Sequence, residues 1–224
     1  MAAGAKTDIL ARLARLDSCA LSDALDRLGL PGVVLGLQAM SVQRRVAGRA
    51  VTVQLEPAAG RSSARHLGTA AVDASGPRDV IVVANGGRLD AAGWGGILAL
   101  GAAERKVEGV LVDGACRDVD ECRDLGLPVY ARAAVPVTAR GRVIETGWNE
   151  AVSFGGVRVA AGDLVLADAS GVVFLASAGA ADVLTAAEEI ASRERAMAEA
   201  VRAGRPLAEV MGASYEQLIH GGGN

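Results

Sequence analysis

The pattern of apolar and polar positions predicts helices that alternate with strongly apolar strands. Apolar residues recur at helical spacing from Ile9 to Leu16. Ser22 is placed to cap a second helix over residues 23–28, which Gly29 would end. Short helices are also predicted at residues 69–74, 97–105 and 119–125. Continuous apolar runs, typical of strands buried on both faces, occupy residues 80–84, 110–112 and 129–131. Together these elements predict an α/β fold.

The second half of the chain predicts more strands and then one long helix. Residues 143–145 and 157–159 have the pattern of a hairpin. Two further strands, residues 162–168 and 171–175, would be joined by a short turn, and residues 180–203 form a helical pattern rich in Ala, Glu and Arg. No repeat or long linker divides the chain, so we expect one domain over residues 1–224, with residues 1–6 and 221–224 disordered.

Composition excludes several classes of protein. Hydrophobic residues make up 51% of the 224 residues, and 23 basic side chains are balanced by 26 acidic ones. That balance offers no basic surface for nucleic acid, and no apolar run is long enough for a membrane span. The three cysteines form no Cys-x-x-Cys motif and no secretory leader is visible, which indicates reduced thiols in the cytoplasm. We expect Cys116 to be a buried, unreactive thiol.

The candidate chemistry lies in residues 93–118. Glycines at 93, 95 and 96 come just before the helix predicted from Ile97, where free backbone N–H groups favour anionic oxygens. Arg117 and Asp118 follow a buried strand, at the position where open α/β sheets place their ligands. Arginine suits a carboxylate, and aspartate suits a divalent cation.

Simpler interpretations of these residues stay open. An adjacent Arg-Asp pair is commonly a solvated ion pair, and clustered glycines serve tight turns. The sequence Gly-Trp-Gly-Gly is not a dinucleotide fingerprint, and no Gly-Lys-Ser/Thr follows it. Spacing alone therefore predicts a candidate site for an anion and a metal.

Five blocks of sequence resemble the RraA-like family, and they occur in the family's order over most of residues 20–175. They are SDAL (22–25), PRDVIVV (77–83), WGGILA (94–99), GVLVDGACRDVD (109–120) followed by LGLPV (125–129), and GDLVLAD (162–168). The family includes metal-dependent pyruvate aldolases that cleave 4-hydroxy-4-methyl-2-oxoglutarate and 4-carboxy-4-hydroxy-2-oxoadipate, and regulators that bind RNase E. The resemblance implies a layered domain of the swivelling β/β/α type with a long C-terminal helix. It also implies a homotrimer with its sites between subunits.

The resemblance also implies roles for individual residues. Arg117 would grip the 2-oxoacid, and Asp118 would hold Mg²⁺ or Mn²⁺, so both are candidate catalytic residues. Backbone N–H groups of Gly95, Gly96, Ile97 and Leu98 would hold the pyruvate end. A glutamate from the neighbouring subunit's C-terminal helix would complete the site, with Glu194 as the first candidate and Glu199 as the second.

One position departs from the aldolase pattern. The aldolases carry an aspartate separated from the Arg-Asp pair by twenty intervening residues, and the corresponding residue here is Gly96. Loss of that acid is expected to weaken metal binding or proton delivery. If Gly96 has a positive φ, any side chain placed there would be strained.

The leading functional hypothesis is a divalent-metal-dependent lyase that acts on a 2-oxoacid. The reaction would be retro-aldol cleavage of a 4-hydroxy-2-oxoacid to pyruvate, oxaloacetate decarboxylation, or both. The alternatives are a non-catalytic regulator of the RraA type that binds another protein, and an altered activity in a specialised pathway that uses the same pocket.

Overall fold

The computed structural model describes residues 8–63 and 65–212. The chain ends that we predicted to be disordered, residues 1–6 and 221–224, lie outside this range. The helices are α1 (Ile9–Leu13), α2 (Ser18–Leu28), α3 (Thr69–Ala74), α4 (Gly96–Glu104), α5 (Val119–Asp124), α6 (Ala180–Arg202) and α7 (Leu207–Val210). The strands are β1 (Val33–Val34), β2 (Gln38–Ala39), β3 (Val46–Pro57), β4 (Asp79–Ala92), β5 (Gly109–Cys116), β6 (Val129–Ala134), β7 (Val143–Trp148), β8 (Val152–Phe154), β9 (Val157–Val159), β10 (Leu164–Ala167) and β11 (Val172–Leu175).

A mixed sheet forms the centre of the fold. Its strand order is β1-β11-β10-β3-β4-β5-β6-β2, and β7 pairs with the second half of β3. Strands β3 to β6 are parallel, and Val82 of β4 lies opposite Leu111 of β5. This confirms the prediction that the runs at 80–84 and 110–112 are strands, and the two strands are neighbours at the centre of the sheet.

Apolar packing covers both faces of this sheet. One face of β3–β6 packs against α3, α4 and α5 around Trp94 and Leu98. The other face packs against the small β8–β9 sheet around Tyr130 and Phe154. A third apolar cluster joins α1, α2 and α6 to β10 and β11. Strand β5 is buried at all eight positions. Arg117 and Asp118, which follow it directly, are therefore attached to a rigid part of the core.

Two local predictions were wrong. Helix α2 begins at Ser18, and its N-cap is Asp17, whose carboxylate accepts a hydrogen bond from Ala20 N–H at 2.9 Å. Ser22 therefore lies inside the helix and does not cap it. Strand β7 pairs with β3 and not with β9, because β9 forms a tight hairpin with β8. Gly155 and Gly156 have positive φ values of 56° and 87°, which suit a two-residue hairpin turn.

The long helix predicted near the C-terminus is confirmed as α6. Its first two turns carry its buried residues, which pack beside α2, and its later turns are largely exposed. Within residues 8–63 and 65–212, no helix combines the length and apolar character needed to cross a bilayer.

Candidate functional site

The glycine-rich turn and the Arg-Asp pair meet at one cavity of about 460 Å³. Two backbone hydrogen bonds hold the turn against the end of β5. Gly93 N–H donates to the Ala115 carbonyl at 2.8 Å, and Arg117 N–H donates to the Trp94 carbonyl at 3.0 Å. All six residues predicted for this part of the site line the cavity: Gly95, Gly96, Ile97, Leu98, Arg117 and Asp118.

Asp118 is held in place by two neighbours. It has a left-handed backbone conformation, with φ of 55°, and comes immediately before α5. Its Oδ2 accepts a hydrogen bond from Gly96 N–H at 2.9 Å, and Arg117 Nε lies 3.0 Å from Oδ1. Partial burial acts to raise the pKa of Asp118. The Gly96 N–H and the Arg117 guanidinium outweigh that effect and hold the pKa below its ordinary value. Asp118 is therefore an anion at neutral pH.

Arg117 is both a local ion-pair partner and a free donor. Only its Nε contacts Asp118, and no described residue accepts a hydrogen bond from its Nη1 or Nη2. Its side chain is 36% exposed and lines the cavity. The simpler interpretation as an ion pair is thus correct but incomplete, because two of the three nitrogens remain available to a carboxylate.

The N-terminus of α4 supplies further donors. Gly96 N–H is used by Asp118, whereas the N–H groups of Ile97 and Leu98 open the helix and have no earlier carbonyl within it to bind. Both residues line the same cavity as Arg117. The site therefore combines a guanidinium with helix-opening N–H groups, a combination suited to a carboxylate or an enolate oxygen.

Gly95 and Gly96 are required because neighbouring side chains lie too close for a Cβ atom, and not because their backbone has a positive φ. Neither Gly95 nor Gly96 has a left-handed backbone, so strain from a positive φ does not apply at Gly96. A Cβ atom on Gly95 would lie 2.9 Å from Asp118 Oδ2 and 3.1 Å from Arg117 Cγ. A Cβ atom on Gly96 would collide with the carboxylate of Glu121.

Glu121 is a site residue that sequence reasoning missed. Its carboxylate occupies the space that a side chain at position 96 would fill, and that space also borders Asp118 Cβ. Residues three apart on a helix share a face, so the spacing between Asp118 and Glu121 was the available signal. The carboxylate of Glu121, on α5, thus lies beside Gly96, the position at which the resemblance to the aldolases implies an acid.

Two further segments complete the cavity, and no sequence pattern predicted their position. Residues 61–63 and 65–67 form one wall, and residues 138–145 form another. They bring three arginines to the cavity: Arg61, Arg65 and Arg140. The buried Glu145 side chain connects the two walls, because it accepts a hydrogen bond from Gly68 N–H at 2.6 Å and lies 3.6 Å from Arg65 Nε. His66 also lines this cavity.

The glutamate expected from the C-terminal helix lies elsewhere in this chain. Glu194 is beside α2, where desolvation and the carboxylates of Asp17 and Asp23 raise its pKa. It is not among the residues that line the cavity of its own chain. A contribution from Glu194 or Glu199 to a neighbouring subunit stays a prediction.

The donor set fits a hard divalent cation that keeps much of its water. Within residues 8–63 and 65–212, no group of three or more His, Cys, Asp or Glu side chains could enclose a metal ion. Asp118 lines the cavity, and the carboxylate of Glu121 lies beside Gly96, outside the cavity lining. Mg²⁺ is typically held by one or two carboxylates with water and substrate oxygens filling its other positions. These residues therefore suit Mg²⁺ or Mn²⁺ better than a metal that needs a full protein cage.

Cys116 and Cys122, the thiols near the site, are unreactive because they are buried. Burial raises the pKa of Cys116 to about 12 and that of Cys122 to about 11. Cys19 is exposed. We therefore expect one of the three thiols to react rapidly with Ellman's reagent in the folded protein, and all three after denaturation. Cys19→Ser should remove the fast phase, and a fast phase that survives in this variant would contradict the burial of the other two.

Residues 18–174 match the RraA-like family, described as Aldolase/RraA. The chain belongs to the RraA-like family. A relative in Halalkalibacterium halodurans, named "Putative 4-hydroxy-4-methyl-2-oxoglutarate aldolase", is 32% identical over 216 residues, which cover 92% of this chain and 97% of that protein. The crystal structure of Streptomyces coelicolor RraAS2, described as an unusual member of the RNase ES inhibitor RraA protein family, superposes with a TM-score of 0.77. It is 25% identical, and the match covers 87% of this chain and 98% of that one.

Protein DlpA of Legionella pneumophila is 28% identical over 200 residues. The match covers 89% of this chain but only 32% of DlpA, so the chain spans about a third of that relative. Membership of the RraA-like family agrees with the sheet order and the long C-terminal helix, and it confirms the resemblance seen in the sequence blocks.

Proposed function

We propose that this RraA-like protein is a divalent-metal-dependent lyase that acts on a 2-oxoacid. The reaction is retro-aldol cleavage of a 4-hydroxy-2-oxoacid to pyruvate, decarboxylation of oxaloacetate, or both. One observation carries the proposal: the free Nη groups of Arg117, the ionised Asp118 and the opening N–H groups of α4 line the same cavity. The aldolase name of the relative from H. halodurans supports the same class of reaction.

Arg117 and α4 hold the 2-oxoacid in this proposal. The Nη groups of Arg117 donate to the substrate carboxylate, and the N–H groups of Ile97 and Leu98 face the oxygen that gains charge when the carbon–carbon bond breaks. Because Gly95 has no side chain, Asp118 and Arg117 can lie close to the start of α4. A Cβ atom on Gly95 would lie 2.9 Å from Asp118 Oδ2.

Asp118 and Glu121 would hold Mg²⁺ or Mn²⁺. When bound, the cation supplies Lewis-acid polarisation of the 2-oxo group. Asp118 enters the site already deprotonated, and its position is fixed by Gly96 N–H and Arg117. Glu121 provides a second carboxylate beside Gly96, which would accept a proton from a water molecule at the edge of the cavity.

The arginines of the two loop walls would receive the distal half of the substrate. Arg61, Arg65 and Arg140 line the cavity together with Arg117. Arg61 is paired with Glu56 at 2.9 Å and Arg65 lies 3.6 Å from Glu145, whereas the Arg140 guanidinium has no carboxylate partner among the described residues. This surplus of positive charge favours a substrate with a second carboxylate at its far end.

The proposal is tested by incubating the purified protein with Mg²⁺ or Mn²⁺ and a panel of 4-hydroxy-2-oxoacids and oxaloacetate. Pyruvate release is followed with a coupled dehydrogenase. Metal-dependent pyruvate formation that a chelator abolishes is the expected result. No turnover with any member of the panel, despite intact folding by circular dichroism, would count against the lyase.

Substitution of Glu121 tests whether this residue supplies the acid that position 96 lacks. We expect Glu121→Gln to lower metal-dependent turnover by about 10- to 100-fold, because its carboxylate no longer supports the cation or its water. Asp120→Asn, whose side chain on the same helix is 88% exposed and does not line the cavity, is the control and should leave turnover unchanged.

A double variant tests whether an acid on α4 can replace the acid that Glu121 supplies from α5. Gly96→Asp alone places a second carboxylate against Glu121 and should be destabilised and poorly active. Gly96→Asp combined with Glu121→Ala returns the acid to α4 and should recover part of the turnover. If Gly96→Asp alone is stable and more active than the parent protein, Glu121 does not occupy the place of the missing acid.

The homotrimer is part of the same proposal. Ile97 at the mouth of the cavity is 84% exposed, and Leu100 on the next turn of α4 is 45% exposed, a surface that a neighbouring subunit would cover. Light scattering should give three times the mass of one chain, and Ile97→Asp should lower that mass. A monomer mass for the parent protein would remove the shared-site arrangement.

A further inference from the structure

A second cavity, of about 570 Å³, lies on the other side of the central sheet. It shares no lining residue with the cavity at Arg117. Asp113 and Arg132, which line it, alternate along their strands with residues that face the α4 side, and they share the face of Leu111 and Tyr130. The β8–β9 hairpin forms its outer wall through Ser153, Gly155 and Gly156.

Asn85 carries an unused donor in this cavity. The residue is only 4% exposed, and among the described residues its Nδ2 has no hydrogen-bond partner. Its amide is closely approached by backbone from two segments, because a Cβ atom on Gly114 of β5 would lie 2.9 Å from Nδ2 and one on Gly93, just after β4, would lie 3.1 Å from it. Buried amide donors are nearly always paired, so an unpaired one at a cavity wall points to a ligand that supplies the acceptor.

Two guanidinium groups flank Asn85. Arg132 donates from Nε to Asp113 Oδ1 at 2.6 Å and from Nη1 to the Leu35 carbonyl at 3.2 Å, which leaves its Nη2 without a described acceptor. Arg88 donates from Nη2 to Asp90 Oδ2 at 2.9 Å. Its Nε is buried and makes no hydrogen bond with any described residue, although Asp90 Oδ1 lies 2.8 Å away.

The carboxylates near these donors are already occupied or point to solvent. Asp113 uses Oδ1 for Arg132 and Oδ2 for Gly155 N–H, at 3.0 Å. The Asp90 side chain, which pairs with Arg88, is 65% exposed and does not line the cavity. The lining therefore has two guanidinium groups, Arg88 and Arg132, and one carboxylate, Asp113.

We propose that this cavity is a second binding site, for a small oxyanion such as a carboxylate or a phosphate. Asn85 Nδ2 and the guanidinium groups of Arg88 and Arg132 donate to the ligand oxygens. The site is separate from the proposed lyase centre, and its occupancy does not depend on Arg117 or on a divalent cation.

The test is calorimetric titration of the full chain with malonate and, separately, with inorganic phosphate, in the presence of a metal chelator. Asn85→Leu removes the amide while keeping a side chain of similar size, and Arg88→Gln removes one guanidinium. Each is expected to weaken binding of the preferred anion at least about tenfold. Arg123→Ala, which removes an exposed arginine that lines neither cavity, is the matched comparison and should leave this binding unchanged. The preferred probe distinguishes a carboxylate site from a phosphate site.

The opposite pattern overturns the proposal. Binding that is lost in Arg117→Ala and retained in Asn85→Leu and Arg88→Gln would assign the anion to the lyase cavity. Absence of binding of both anions to the parent protein up to about 10 mM, an affinity too weak for a built site, would also overturn it. If Asn85→Leu fails to fold, Arg88→Gln alone decides, because Arg88 lies partly exposed at the rim.

Discussion

Arg117→Ala is expected to weaken 2-oxoacid binding by about 2–4 kcal/mol, or roughly 30- to 1,000-fold, with little change in folding stability. The Nη groups of Arg117 have no acceptor among the described residues, so their hydrogen bonds are made only when a carboxylate is present. Loss of the Nε contact to Asp118 costs little, because the pair is partly exposed.

Oxalate, which resembles the pyruvate enolate, is a suitable probe for this measurement by calorimetry in the presence of Mg²⁺ or Mn²⁺. Arg123→Ala is the matched control, since Arg123 forms an exposed ion pair with Asp120 on the adjacent helix and does not line the cavity. Equal oxalate affinity in Arg117→Ala and the parent protein would show that Arg117 serves only the local ion pair.

Asp118→Asn is expected to abolish metal-dependent turnover, by a factor of at least roughly 10³. The substitution isolates the charge, because asparagine tolerates the left-handed conformation at φ of 55° and its amide oxygen can still accept from Gly96 N–H. Folding should therefore survive while the cation loses its main carboxylate.

Binding of Mn²⁺, followed by electron paramagnetic resonance, gives a readout that does not depend on turnover. Asp120→Asn is the control, because the Asp120 side chain is 88% exposed and points away from the cavity residues. If Asp118→Asn binds Mn²⁺ as tightly as the parent protein, the cation is held elsewhere and Asp118 positions only Arg117 and α4.

The sequence was sufficient where the structure depends on long apolar runs. The runs at 80–84 and 110–112 are buried on both faces, and only central parallel strands satisfy that requirement. Arg117 and Asp118 were found for the same reason, since they directly follow such a strand. The partner of β7 was not predictable, because residues 143–145 show a strand pattern that does not specify its neighbour.

Other parts of the site depend on contacts between segments that are distant in sequence, and no local pattern predicts such contacts. Glu121 matters only because residue 96 lacks a side chain, and the two residues lie on different helices that meet in the fold. Arg61, Arg65 and Arg140 are in irregular segments without a period, so their convergence is set by the packing of the loops around Glu145.

The placement of Glu121 on α5 has a consequence for how the site tolerates movement. Asp118 directly precedes α5 and Glu121 lies in its first turn, so both carboxylates are carried by the same end of one helix. Two of the donors for the 2-oxoacid, the N–H groups of Ile97 and Leu98, are instead carried by α4. Gly96 of α4 joins the two groups, because its N–H binds Asp118 and its missing side chain leaves room for Glu121. If Asp118 and Glu121 hold the cation, a substitution that changes the packing of α4 therefore alters substrate affinity and cation affinity together.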